Sequence, residues 1–336
     1  MGSALPVLAL TLGDPAGIGP EITAKTLAAL NKSKDGFIAL LLGDEKLWLE
    51  TCEQLKIHSA PVNIVSKPQR DKLEPGVVNI YPVKVGSLKE IHPGKPTPKT
   101  GRAAMASIEK AIELALLREV DAVVTNPISK KTINDAGFHF AGHTDFFAEK
   151  TNTSKYAMCF VADPFRVAVV TSHLGLRKVH SKVKLARVLR TITLLDGFVR
   201  DLDGMAPRLA VTGLNPHAGE SGLMGPEEFA EVSPAVAAAR AQGYHVTGPM
   251  SAEAAFIGVL NKKYDAVVAM YHDQGIVPLK TYAPYRAVNV TLGLPFIRTS
   301  VGHGAAFDIA GQGIAKPESL KLACAIATRL ASKRKK

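Results

Sequence analysis

The chain is poor in the features that would assign it quickly. It has only three cysteines, Cys52, Cys159 and Cys324, far apart, odd in number and without CxxC spacing, so neither a disulfide framework nor a zinc knuckle is supported. Their expected role is packing. No run approaches the eighteen or more uncharged apolar residues of a membrane span. The apolar start at Leu5–Leu12 has no basic residue before it and no small-residue cleavage site after it. Cytoplasmic location is the expectation. No internal repeat and no long low-complexity segment occurs. The glycine-rich stretch "LTLGDPAGIGPE" places Gly13, Gly17 and Gly19 at G-x3-G-x-G, which is not the G-x-G-x-x-G dinucleotide fingerprint, and it lacks the Lys-Ser/Thr ending of a P-loop.

What is present is a large apolar fraction. With 46% hydrophobic and 21% charged residues, 336 residues suffice for a sizeable core, and the length suggests two lobes. The formal charge of +11 invites a nucleic-acid partner. Five of the basic residues, however, are Arg329, Lys333, Arg334, Lys335 and Lys336 in the tail "RLASKRKK", expected to be a frayed, solvated terminus. The rest are scattered without interleaved aromatics, which suits an anionic metabolite at least as well as a phosphodiester backbone.

Strand-like apolar runs alternate with helix-period segments along the whole chain, the pattern of an α/β protein with a mainly parallel sheet. In "GRAAMASIEKAIELALLRE", Met105, Ile108, Ile112 and Ala115 form one apolar helical stripe, and Asp121–Thr125 follows as a strand. The stretch Ile91–Gly101, rich in Pro, Gly and Lys, reads as a loop. Pro20 suits the first turn of a helix in "GIGPEITAKTLAAL".

A second regularity appears where the apolar runs stop. "DAVVTNP" ends in Thr125 and Asn126, "FRVAVVTSH" in His173, "PRLAVTGLNPH" in His217, and "YDAVVAMYHDQG" in His272 and Asp273. Ligands of parallel α/β sheets bind at the carboxyl ends of strands, so these segments are expected to converge. Three imidazoles there are a donor set for one divalent cation, although a lone strand-end histidine more often bonds to backbone. Asp273 either supports a ligand or caps the following turn. "AGHTD" and "NPHAGE" each place a histidine beside glycine, where backbone approaches a ligand closely or simply turns. Lys280 and Arg298 are candidate anion contacts, although a lone residue of either kind is more often a solvated surface charge.

In order and over nearly the whole chain, "LGDPAGIGPEI", "TNPISKKTINDAG", "FAGHTDFF", "TSHLGLRKV", "GLNPHAGE", "MYHDQGIVPLK" and "VNVTLGLPFIRTS" resemble the 4-hydroxythreonine-4-phosphate dehydrogenase family of pyridoxal phosphate biosynthesis. More distantly, "GDPAGIGPE" and "HGAAFDIAGQGIAKP" resemble segments of isopropylmalate and isocitrate dehydrogenases. The resemblance implies a two-lobed α/β/α fold, with a first lobe of residues 1–130 plus 290–336 on the nucleotide side and a second of 131–289. It also implies an interlobe active site completed by the partner subunit of a homodimer. By motif, His173, His217 and His272 match metal ligands, one of them supplied across the dimer interface. His143, Thr144, Lys280, Asn289 and Arg298 match positions that bind the phosphorylated substrate. His303, Gly304 and Asp308 fall in the segment resembling the NAD loop, and Lys130 of "ISKKT" is the candidate general base.

The implied activity is NAD-dependent (or NADP-dependent) oxidation of 4-phosphooxy-threonine at its 3-hydroxyl, followed by decarboxylation. The implied cofactors are NAD or NADP and a zinc, cobalt or magnesium ion. Two segments depart from the family pattern: Gly302–Ala306 reads "GHGAA" against "DHGTA", and Ser251–Ala254 reads "SAEA" against "PADT". Recognition of a 2-amino group needs placed acceptors, so the alternative substrates are the sugar-acid phosphates D-threonate and D-erythronate 4-phosphate. A phosphate acyltransferase-like activity is the alternative from another class; the histidine trio and "HGAAFDIAG" speak against it.

Overall fold

A computed structural model of the chain describes residues 5–28, 36–58, 60–83, 91–140 and 142–334. Lys335 and Lys336 of the basic tail lie outside the described residues. The chain divides into two compact units, Met1–Asn152 with Leu294–Lys336, and Thr153–Gly293.

In the first unit the strands are β1 (Val7–Thr11), β2 (Ile38–Gly43), β3 (Val62–Ile64), β4 (Val78–Pro82), β5 (Ala122–Thr125) and β12 (Ile297–Val301). They lie in the order β3-β4-β2-β1-β5-β12, every neighbouring pair parallel. Central strands covered on both faces carry unbroken apolar runs, which is why "VLAL" and "AVV" show no alternation. The helices are α1 (Gly19–Leu27), α2 (Glu45–Gln54), α3 (Pro98–Leu116), α4 (Lys130–Asp135), α5 (His143–Lys150) and α11 (Glu318–Arg334). Met105, Ile108, Ile112 and Ala115 of α3 pack as the expected stripe with Val7, Leu40, Leu42 and Val123. Each such buried aliphatic side chain contributes about 1.5–3 kcal/mol.

The second unit holds β6 (Ala157–Ala162), β7 (Phe165–Val169), β8 (Leu209–Thr212), β9 (Val246–Met250), β10 (Ala266–Ala269) and β11 (Val288–Leu292), in the order β11-β6-β7-β10-β8-β9. β6 runs antiparallel to both its neighbours, while β7, β10, β8 and β9 are mutually parallel. Its helices are α6 (Leu176–Lys182), α7 (Leu185–Asp203), α8 (Ser233–Ala241), α9 (Ala252–Leu260) and α10 (His272–Tyr282).

Three details differ from the sequence reading. Residues 98–101 are not loop but the first turn of α3. Pro98 occupies a position whose N–H is unneeded, and Thr97 and Thr100 each accept the other's backbone N–H, a reciprocal cap that outweighs the local Pro and Lys content. Arg329, Lys333 and Arg334 are solvated but helical rather than frayed, the last two lying in the final turn of α11, where cations suit the carbonyl-rich end. Finally, the unit boundaries fall at Asn152/Thr153 and Gly293/Leu294 instead of 130/131 and 289/290. Ile133 of α4 and Phe146 and Phe147 of α5 bury themselves in the first unit's core, so those helices belong to it.

Candidate active site

In the second unit, the parallel strands β7, β10 and β8 end on one edge of the sheet, and each leads to one of the three histidines. Val170 and Thr171, beyond β7, donate their backbone N–H groups to Ala269 and Met270, and the Thr171 hydroxyl also donates to the Met270 carbonyl at 2.8 Å. This lacing brings the rings of His173 and His272 to 5.9 Å between centroids. His272 opens α10, and its Nδ1 lies 2.7 Å from Asp273 Oδ1. A carboxylate only accepts, so Nδ1 is the donor in this contact and Nε2 is the ring nitrogen left for a ligand. Gln274, one residue further, fastens the strand ends. Its Oε1 accepts from the Thr212 hydroxyl and from Met270 N–H, both at 2.7 Å, and its Nε2 donates to the Gly213 carbonyl at 2.8 Å.

His217 is displayed differently. After β8 the chain enters a tight turn, Pro216–Gly222, in which five consecutive residues, His217 to Ser221, have φ between 40° and 84°. The left-handed conformation costs about 1–2 kcal/mol for each residue other than glycine. Backbone held against such a cost is concentrated at functional positions, and His173, at φ 44°, shares it. The His217 ring is 74% exposed, with Nδ1 3.0 Å from Glu220 Oε2, again leaving Nε2 available. Among the described residues of one subunit, no group of three or more His, Cys, Asp or Glu is gathered tightly enough to hold a metal ion. The structure thus pairs His173 with His272 and does not bring His217 into the same cluster. Beyond β9, the carboxyl of Glu253 is held below the usual carboxylate range, chiefly by a hydrogen bond from Ser251, with a smaller pull from His217.

Lys280 and Asn289 gather around Phe160 of β6 in the same unit. The Lys280 ammonium lies 6.0 Å from the Phe160 ring centre, and the His272 ring meets that ring edge-on at 6.4 Å. Asn289 sits opposite Phe160 in the β11–β6 register, and its buried Oδ1 has no partner. Burial pulls the Lys280 pKa down. A half-buried cation and an unsatisfied amide oxygen on one face suit an anionic, hydroxylated ligand.

The first unit gathers His143, Thr144, Arg298 and Lys130. Arg298 on β12 is no surface charge, for it is 1% exposed. Its Nη2 donates to the Thr125 hydroxyl at 2.6 Å, and its guanidinium lies 5.3 Å from the centre of the Phe147 ring. Burial lowers its pKa to about 9, so it remains a cation at neutral pH. His143 begins α5 next to it; burial first, and the Arg298 charge second, hold this imidazole well below its usual pKa, hence neutral. Its buried Nε2 has no partner. Lys130 runs alongside, its Cε 3.9 Å from where a side chain on Gly142 would begin. A desolvated guanidinium beside a neutral imidazole forms a receptor for phosphate or carboxylate.

His303, Gly304 and Asp308 lie in one loop built on the opening glycine stretch. Ile18 N–H donates to the Ala305 carbonyl at 2.9 Å, and a Cβ on Gly17 would stand 2.8 Å from that oxygen, so glycine is required for this approach. Glu21 accepts the N–H groups of Gly313 and Ala315, while Lys25 donates to the carbonyls of the same two residues. The "GDPAGIGPE" stretch is therefore a platform for the 303–315 loop. Among residues the sequence reading passed over, Asp14 accepts from Ala16 N–H and the Thr132 hydroxyl, and burial raises its pKa. Asn126, read only as a strand end, donates to the Thr11 carbonyl and Thr23 hydroxyl and leaves its buried Oδ1 without a partner. An acid beside a proline in a glycine-rich turn was the only signal for Asp14.

Each α/β unit carries ligand-directed chemistry of its own, with carboxylate-oriented imidazoles at the strand ends of one and a buried, desolvated guanidinium beside a neutral imidazole in the other, as an enzyme of this class requires. The chain belongs to the family described as pyridoxal phosphate biosynthetic protein PdxA, whose pattern matches residues 37–327. It is 41% identical over 325 residues to the D-threonate 4-phosphate dehydrogenase of Pectobacterium atrosepticum, covering 97% of this chain and 99% of that one. It is 41% identical over 321 residues to the 4-hydroxythreonine-4-phosphate dehydrogenase of Desulforapulum autotrophicum, covering 94% and 92%. The crystal structure of 4-hydroxythreonine-4-phosphate dehydrogenase from Klebsiella pneumoniae superposes with a TM-score of 0.87 at 38% identity, covering 98% of this chain and 99% of that one. These relatives are all named dehydrogenases. Among the described residues, no helix is long and apolar enough to cross a membrane.

Proposed function

We propose that the chain is a nicotinamide- and divalent-metal-dependent dehydrogenase that oxidises 4-phosphooxy-threonine at its 3-hydroxyl and releases CO2, giving 3-amino-2-oxopropyl phosphate. The observation that carries this reading is the pairing of His173 and His272 at 5.9 Å, with His272 turned by Asp273 to present Nε2. His217, oriented likewise by Glu220, is the third ligand, one of the three coming across the interface of a homodimer. Apolar side chains flank two of these histidines: Leu176 follows His173, and Leu223 and Phe229 follow the His217 turn, at 72%, 82% and 62% exposure. A second copy of the chain is the partner that would cover them.

A bound cation of zinc, cobalt or magnesium supplies Lewis acidity at the hydroxyl being oxidised. A bound NAD or NADP supplies the hydride acceptor. The chain's own residues bind and orient. Arg298, His143 and Thr144 receive the phosphate, remote from the reacting carbon, and so contribute positioning. Lys280 and Asn289 hold the acid end. Lys130 takes the hydroxyl proton as C3 gives up its hydride, leaving a ketone beta to the carboxylate, from which CO2 departs. The loop of His303, Gly304 and Asp308, fixed by Glu21 and Lys25, receives the nucleotide. Three cysteines, all buried and far apart in the chain, suit a reducing compartment, the cytoplasm.

A second reading is favoured by Gly302 and by the "SAEA" segment. Without a carboxylate side chain at 302, one acceptor for a 2-ammonium group is missing, and D-threonate or D-erythronate 4-phosphate carries a hydroxyl there instead. One assay tests both: NADH formation with each of the three phosphorylated acids, with and without chelator. NADH formation only with 4-phosphooxy-threonine, abolished by chelator, is the expected result; preference for the hydroxy acids would move the chain to the second reading. Silence with all three would remove the dehydrogenase.

A further inference from the structure

One of the most heavily bonded acids in the second unit, Glu228, is not among the histidines' direct partners. Glu228 is 3% exposed, yet its carboxylate pairs with no cation within 4.0 Å in the ion pairs described for this unit and instead saturates backbone. Oε1 accepts the N–H groups of Leu214 and Asn215, both at 2.8 Å, and Oε2 accepts from Asn215 Nδ2 at 3.0 Å. Those residues are the entry to the left-handed turn that carries His217. Two glycines, one in the turn and one ahead of it, close on the same carboxylate: a Cβ on Gly219 would lie 2.6 Å from Oε2 and one on Gly213 3.0 Å from Oε1. Glu227 adds a second acceptor for Asn215 Nδ2 at 2.9 Å.

We propose that Glu228 is a positioning residue for the metal site, acting through the His217 turn. The proposal rests on the metal-dependent reading above. An exposed turn of four non-glycine residues in the left-handed region does not hold itself, because unwinding would relieve it. The buried carboxylate holds the N–H groups of Leu214 and Asn215, which enter the turn, and crowds position 219, while at 213 the close approach of Ala218 leaves room only for glycine. His217 is thereby presented at one fixed place even though its own ring has solvent around it. Losing the clamp lets the turn relax to right-handed or extended conformations and disperses the imidazole.

Co2+ binding to the intact, metal-stripped enzyme tests this, followed by calorimetry and by the visible spectrum of the bound ion. Glu228→Ala is expected to weaken Co2+ binding about 10- to 100-fold, the range for a group that orients a ligand. The spectrum should shift toward that of His217→Ala, while NAD affinity stays unchanged. Glu228→Gln keeps the acceptor for Leu214 and Asn215 but turns a donor toward Asn215 Nδ2, so its loss should be intermediate; having the same volume, it carries the test if the alanine variant does not fold. A folded Glu228 variant with wild-type Co2+ affinity and spectrum, beside a His217→Ala that loses both, would overturn the proposal while sparing the metal reading. If His217→Ala itself binds Co2+ as the wild type does, the metal reading fails and the proposal with it.

Discussion

The two units treat their polar side chains in opposite ways. The first buries them: Asp14, Glu21, Asn126 and Arg298 are all at most 3% exposed, each set among hydrogen-bond partners. The second leaves its chemistry nearer the surface, with His217 on an exposed turn, His272 partly exposed at the start of α10, and the strain placed in the backbone of the His217 turn. A desolvated guanidinium gives a strong, fixed anion receptor because no water has to be removed from it when ligand arrives. Exposed imidazoles on a stiff backbone are oriented donors with room for a ligand. On the function proposed above, the first unit carries a finished anion pocket and the second one half of a metal site.

The largest effect expected from this contrast is at the incomplete half. His217→Ala should reduce kcat/KM by more than the roughly 100-fold seen for outer partners of a metal ligand and should lower bound metal, read by metal analysis of the purified enzyme. In the finished pocket, Arg298→Met should raise KM for the phosphorylated acid by a factor of roughly 30, about 2 kcal/mol. Its melting temperature should be unchanged or higher, since removing a buried charge in favour of apolar volume is neutral or stabilising. A variant that loses both binding and stability would deny the receptor role and make Arg298 structural.

Protonation gives an intermediate effect with a definite sign. The neutral His143 has its pKa depressed in the folded state, so between that value and the usual 6.5 the unfolded chain binds the extra proton. Stability from this group is present above pH 6.5 and lost as pH falls below it, with a slope of at most about 1.4 kcal/mol per pH unit. Asp14, with its pKa raised above 3.8, acts the other way, since its contribution is present in acid and lost as pH rises through the folded value. Urea midpoints measured from pH 7 downward should show the decline, and His143→Asn should flatten it; an unchanged slope would mean that His143 is not held neutral.

The smallest effect separates strain from packing. Ala218→Gly should stabilise the second unit by about 0.5 kcal/mol, because relief of a left-handed residue at about 1–2 kcal/mol exceeds the entropy lost by glycine. Gly17→Ala in the first unit should destabilise, since the new methyl meets the Ala305 carbonyl. Thermal melts with opposite signs would confirm the contrast.

Much of this architecture could be read in advance, and the reasons are physical. Strands covered on both faces are continuous apolar runs, so β1, β5, β7, β8 and β10 were visible, and with them the histidines that follow. The helical start at Pro98 was hidden because the same prolines and lysines describe a loop or a capped first turn until Thr97 and Thr100 are seen to bond each other. Arg298 looked like any charged residue, since its burial depends on β5 and α5, far off in the chain. The left-handed turn at "HAGES" was illegible for a related reason: only one of its five residues is glycine, and what holds it is a carboxylate some ten positions on.

The first unit is written in two pieces, with all of the second between them. A chain made from its amino end completes Thr153–Gly293 while β5 still waits for Ile297–Val301 to pair with it and Glu21 waits for the amides of Gly313 and Ala315. During synthesis the inserted unit can close first and its host last, so the exposed edge of β5 is the place where a chaperone would be needed while the ribosome finishes.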